Sequence, residues 1–141
     1  MDDLIAARNR LSQGSHTCVL CKDGVFHISD QRGVRPLVDW LDSGLDLRGF
    51  TAADKVVGRA TAFLYVLLGV RTVYAHVMST PAREVLEAAA IAAHCGREVP
   101  GIINRRGDGP CPFEKAVLDI TDPALALAAI RRQQAFMRQP H

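Results

Sequence analysis

Three things are missing from this 141-residue sequence: a long uncharged apolar run, an excess of charge of one sign, and a histidine–cysteine motif of metal-ligand spacing. The first absence excludes a membrane-spanning helix, which needs about 20 consecutive apolar residues. The opening stretch MDDLIAARNRLSQG carries two aspartates and lacks the basic-then-apolar order of a secretion signal, so a cytoplasmic protein with reduced thiols is expected. The second absence argues against nucleic acid as a partner. Seventeen basic residues face fifteen acidic ones, a net of +2, and no strong field results. Only the tail is locally basic, and Arg131, Arg132 and Arg138 read there as a solvated helix face.

The third absence bears on cofactors. Cys18-x-x-Cys21 has the spacing of a zinc knuckle but falls in a β-rich run, where residues three apart point to opposite faces, so both cysteines read as packing. His94-Cys95 has no partner motif. His16, His27 and His76 are isolated, and His76 reads as a core histidine. No metal and no cofactor is expected.

What is present is 48% hydrophobic and 23% charged residues, in a chain long enough for one core without staples, and we expect a single domain over 1–141. Leu4, Ile5, Ala7 and Leu11 recur at helical spacing and open the chain with an amphipathic helix. Thr17–Leu20 and Val25–Ile28 flank Cys21-Lys22-Asp23-Gly24, a strong hairpin signal. Pro36 starts a helix that ends at Gly44. Thr51 is expected to cap a long central helix running to Leu68, with Asp54 and Lys55 in its polar first turns. Arg71–Met78 reads as a strand leading into a helix capped by Ser79-Thr80-Pro81 and running over Ala82–Ala90. Ile91–His94 and Val99–Ile103 are short extended pieces, Pro112–Leu118 a helix, and Asp122-Pro123 the start of a C-terminal helix over about 122–138. This order predicts a three-layer α/β domain around one mixed sheet, with the hairpin as its antiparallel edge.

Cys111 is the candidate nucleophile. The loop Asn104-Arg105-Arg106-Gly107-Asp108-Gly109 delivers it to the start of a helix at Pro112, where the dipole and free N–H groups favour a thiolate. A small apolar plug is the alternative, since free cysteines are mostly buried and inert. The loop itself has the composition of an anion clamp, glycines allowing close backbone approach and arginines gripping bidentately, or else of a surface turn.

Thr17-Cys18-Val19-Leu20 with Lys22-Asp23-Gly24, Arg32-Gly33-Val34, Ala53-Asp54-Lys55-Val56-Val57-Gly58-Arg59-Ala60, Val73-Tyr74-Ala75, and Ile102-Ile103-Asn104-Arg105 followed by Cys111-Pro112 together resemble an uncharacterised bacterial family with a cytidine-deaminase-like fold. The resemblance covers roughly residues 3 to 130. It implies an α-β-α architecture, a mixed β-sheet with helices on both faces. Zinc deaminases place H-x-E at one helix start and P-C-x-x-C at a later one. Here the corresponding stretches read Ala53-Asp54-Lys55 and Pro81-Ala82-Arg83-Glu84-Val85, without a cysteine or histidine, so zinc deamination is not expected.

The resemblance would also set the helix starts at Thr51 and Pro81 side by side at the strand ends. There Asp54 would serve as the acid–base group and Lys55 as an electrostatic stabiliser, with Ser79, Thr80, Asn104, Arg105 and Gly33 as binding contacts. The expected function is binding of a small anionic or nucleotide-like ligand, with metal-independent group transfer or hydrolysis at Cys111. The alternative is a non-catalytic sensor or interaction module. A homodimer is expected because apolar residues on the outer helices need cover.

Overall fold

The computed structural model describes residues 2–104 and 106–138. Strands β1 (Cys18–Lys22) and β2 (Val25–Ser29) form the anticipated hairpin, turned by Asp23 and Gly24 at φ 49° and 82°, the paired positive values of a two-residue hairpin turn. On its other side β1 pairs antiparallel with β3 (Thr51–Val57), Cys18 opposite Asp54 and Cys21 opposite Thr51. β4 (Thr72–Ser79) and β5 (Ala92–Val99) follow in parallel, giving the order β2-β1-β3-β4-β5.

Helix α1 (Asp3–Leu11) covers one face of the sheet, where Ala7 and Leu11 pack with Val19, Cys21, Ala53 and Tyr74. The opposite face carries α2 (Arg35–Ser43), α3 (Arg59–Leu68) and α4 (Thr80–Ala88) over the larger core. The short α5 (Pro112–Ala116) and the long α6 (Pro123–Arg138) pack against α3 from outside. Cys18 and Cys21 enter the cores on opposite faces, as residues three apart on a strand must.

The long central helix expected from Thr51 is instead a strand followed by a helix. Thr51, Ala52 and Ala53 are all buried because β3 is covered on both faces. Such a strand shows no alternation, and its apolar run cannot be told from a buried helix by periodicity. The boundary is Gly58, the N-cap of α3. From there Ala60 to Tyr65 are buried without interruption, and each large side chain among them contributes roughly 1.5–3 kcal/mol by leaving water. Of the two extended pieces expected after Ile91, the first lies in β5, which runs on to Val99, whereas the second leaves the sheet after Val99 and only Ile103 makes an isolated bridge, to Pro110. β5 reads as broken because it is an edge strand with exposed Arg97 and Glu98 in its second half.

Candidate functional site

A cavity of about 1130 Å³ opens where α2 and α3 begin, walled on one side by β1 and β3 and on the other by Ile102, Ile103, Asn104, Asp108, Cys111 and α5. Each wall follows from local sequence. Gly33, at φ 69°, turns the chain into α2, whose N-cap residue Val34 offers no side-chain acceptor. Gly33, Val34, Pro36 and Leu37 all line the cavity, so the uncapped end of α2 faces it.

The start of α3 is occupied from within the chain. Glu114, on α5, accepts hydrogen bonds from the backbone N–H of Arg59 at 2.6 Å and of Ala60 at 2.9 Å. Gly58 makes this possible, because a Cβ there would stand 2.5 Å from Glu114 Oε1. The Arg59 guanidinium reaches back to donate to the carbonyls of Val117 and Ile120. The two helices are thereby clasped in both directions.

Asp54 sits on the cavity wall in β3, partly buried. The Tyr65 hydroxyl, buried in α3 with no exposed surface, donates to Asp54 Oδ2 at 2.7 Å. The same hydroxyl lies 3.1 Å from Cys18 Sγ, on the strand residue facing Asp54 in register. Tyr65 has one proton and spends it on the carboxylate, so Cys18 donates its thiol proton to the Tyr65 oxygen. Burial pushes the Asp54 carboxyl up to about 6, against the opposing pull of the hydrogen bonds from the Tyr65 hydroxyl and the Val56 N–H. Burial, and next the charge on Asp54, raises both the Cys18 thiol and the Tyr65 phenol well above their ordinary values. At neutral pH the chain therefore runs from a neutral thiol through a neutral phenol to a carboxylate.

Of the other expected site residues, Lys55, Asn104, Gly33 and Cys111 also line this cavity. Lys55 is exposed at its edge. Asn104 ties the loop to itself, its amide donating to Asp108 Oδ1 at 2.8 Å and its side-chain oxygen accepting from the Asp108 N–H at 3.2 Å. Cys111 is half-buried and is the N-cap of α5, with no side-chain capping bond. α5 is only five residues long, shorter than the expected Pro112–Leu118, so its dipole gives Cys111 little of the anticipated help. Arg105 lies outside the described residues.

Ser79 and Thr80 are elsewhere. Ser79 is buried and caps α4 by accepting from the Ala82 N–H at 3.1 Å, while the Thr80 hydroxyl donates to Glu98 at 2.8 Å. Neither lines the cavity, so the start of α4 does not share it. The expected meeting of helix starts at Thr51 and Pro81 is replaced by a cavity bounded by α2, α3 and α5. Ala53-Asp54-Lys55 lies inside β3, and the helix after it begins Gly58-Arg59-Ala60, again without cysteine or histidine. Among the described residues no group of three or more His, Cys, Asp or Glu side chains is placed to hold a metal ion.

The participants that the residue pattern did not reveal are Cys18, Tyr65 and Glu114. Tyr65 left a usable signal: it is the phenol in an otherwise apolar helix, and a buried hydroxyl requires a partner. Glu114 left no such signal, because its role depends on the packing of α5 against the start of α3.

Together the fold and the cavity define a three-layer α/β protein built on a five-stranded mixed sheet. The chain belongs to the family described as Domain of unknown function (DUF1893), whose profile matches residues 6–134. A DUF1893 family protein from Thermotoga maritima (TM1506) has a similar crystal structure, with a TM-score of 0.85 and 24% identity over 94% of this chain and 91% of that one. Two deaminases are similar in part. The diaminohydroxyphosphoribosylaminopyrimidine deaminase/5-amino-6-(5-phosphoribosylamino)uracil reductase of Thermotoga maritima gives a TM-score of 0.44 and 19% identity, covering 60% of this chain and 30% of that one. The dCMP deaminase of cyanophage S-TIM5, in its apo form, gives 0.45 and 16%, covering 68% and 93%. No curated protein matches the sequence.

Proposed function

We propose that the cavity binds a small anionic, nucleotide-like molecule whose charged end rests at the start of α2. The observation that carries this reading is that open helix end. An α-helix presents roughly half a positive charge and unpaired N–H groups at its N-terminus, and α2 has no side chain capping them where Gly33 and Val34 line the cavity. Arg32 and Lys55 line the same space and add charge of the right sign. The volume, about 1130 Å³, slightly exceeds that of ordinary ligand sites and has room for a nucleotide.

Titrating the protein with a nucleoside and its 5′-monophosphate at two salt concentrations tests the reading. The monophosphate is expected to bind more tightly, to weaken with salt, and to weaken again in Arg32→Ala and Lys55→Ala. Equal affinity for the two compounds would overturn it.

A second reading adds chemistry: Cys111 as nucleophile, Asp54 as acid–base group and Lys55 as stabiliser in metal-independent group transfer or hydrolysis. It is favoured by all three residues lining one cavity. Cys111→Ser separates it from a non-catalytic sensor. Loss of a covalent adduct or of turnover supports the enzyme, and unchanged ligand affinity with no turnover in either protein supports the sensor. A homodimer belongs to the same proposal, supported by the exposed apolar Leu118 and Leu125 on the outer surface, and sedimentation checks it.

A further inference from the structure

Four acidic side chains line the cavity, and three of them are committed within the protein. Asp30 lies 2.8 Å from the His16 ring, Asp108 is held by Asn104, and Glu114 occupies the start of α3. Asp54 differs from these. Its donors are the Tyr65 hydroxyl at 2.7 Å and a long contact from the Val56 N–H at 3.4 Å, and among the described residues it makes no ion pair. Neighbouring Lys55, exposed at the cavity's edge, forms no ion pair with it. A partly buried carboxylate without a cation is costly, and each of its oxygens keeps an unused lone pair.

The cavity side of Asp54 supplies what such a group needs. Val34, Leu37, Ile102 and Phe113 add apolar surface to the same cavity, and a ligand that covers Asp54 there strengthens the charge-assisted hydrogen bond it forms. The Tyr65 hydroxyl holds one carboxylate oxygen, and Asp54 lines the cavity.

We infer that Asp54 is the seat for a cationic nitrogen group, an amidinium or guanidinium presenting two N–H donors along one edge, and that the ligand carries this cation at the end away from its anion. The inference rests on the reading that the cavity holds a small molecule. The raised pKa of Asp54 accords with it, since a carboxylate with no cation beside it is more easily protonated.

Calorimetric titration with benzamidine and, separately, with inorganic phosphate at pH 8 tests it in the unaltered protein and in Asp54→Asn. Benzamidine is expected to bind the unaltered protein and to bind the variant at least about tenfold more weakly, the loss of one charge-assisted hydrogen-bonded pair. In the unaltered protein the carbon-13 resonance of the Asp54 carboxyl should shift on adding benzamidine, a readout that does not depend on the variant folding. No binding at millimolar benzamidine, equal affinity in the variant, or an unmoved Asp54 resonance would each overturn the inference. Phosphate reports on α2 alone: binding of phosphate without benzamidine leaves the anion reading standing and removes this one, and the reverse outcome does the opposite.

Discussion

Glu114 and Gly58 are fitted to each other: the carboxylate reaches the first N–H groups of α3 only because Gly58 has no side chain, its Cα facing Glu114 where a Cβ would come within 2.5 Å of an oxygen. The pair helps hold the wall that carries Cys111, together with the packing of Phe113 and Ala116 on the core and the Arg59 bonds to Val117 and Ile120. Gly58→Ala is expected to expel the carboxylate and Glu114→Ala to leave the N–H groups of Arg59 and Ala60 unpaired. Losing a helix cap costs about 0.5–2 kcal/mol. Denaturant unfolding should show both losses, with hydrogen exchange faster at Arg59 and Ala60. The double variant should lose little more than either single one, because both break one contact. Fully additive losses would disprove the coupling.

Tyr65→Phe isolates the hydroxyl from its ring. The ring keeps its packing in the core of α3, while Asp54 loses its shortest hydrogen bond and Cys18 its acceptor. Stability should fall by about 1–3 kcal/mol, the cost of leaving a buried polar group unsatisfied. The Asp54 carboxyl should then titrate above its present value of about 6, because a bond that favoured the charged form is gone. Carbon-13 titration of the Asp54 side chain checks the direction, and a downward move would refute the assignment of Tyr65 as donor.

The same carboxyl sets a pH dependence whose sign is opposite to that of an ordinary paired aspartate. Its folded value, about 6, lies above the unfolded value of 3.8, so between these pH values the native state binds more protons than the unfolded one. Stability from this group is therefore greatest below about pH 4 and declines as pH rises to about 6, by a total on the order of 3 kcal/mol. The groups facing Asp54, Cys18 from β1 and Tyr65 from α3, stay neutral throughout this range because both are raised. Asp54→Asn removes the decline. Unfolding free energies of the two proteins at pH 4, 5, 6 and 7 should diverge in favour of the variant, and parallel curves would refute the shift.

These effects centre on a strand that the residue pattern presents as a helix, and the reason is physical. Elements with a local signal are readable: Asp23-Gly24 announces the β1–β2 turn, Ser79 the cap of α4, and Asp122-Pro123 the start of α6. β3 has no such signal, because covering on both faces removes alternation, and only Gly58 marks its end. Asp54 stood out as a charge in an apolar stretch, although a strand rather than a helix start positions it. Cys18 and Tyr65 stayed hidden because their meeting depends on antiparallel register and on the second turn of α3 passing over it, relations between segments 47 residues apart.

The four free cysteines divide by burial, and this division gives the cavity its own internal control. Cys18 and Cys21 are buried with raised thiols, so a neutral-pH alkylating reagent should modify them only on unfolding. Cys111 and Cys95 are half-buried and accessible. Cys95 lies on β5 beside the Arg83 guanidinium at 3.3 Å, away from the cavity, whereas Cys111 lines it. A molecule held in the cavity should therefore slow modification of Cys111 and leave that of Cys95 unchanged, with peptide mass spectrometry following each site. Benzamidine or a nucleoside monophosphate that binds yet protects both cysteines equally, or neither, would place its seat outside the space between α2, β3 and α5.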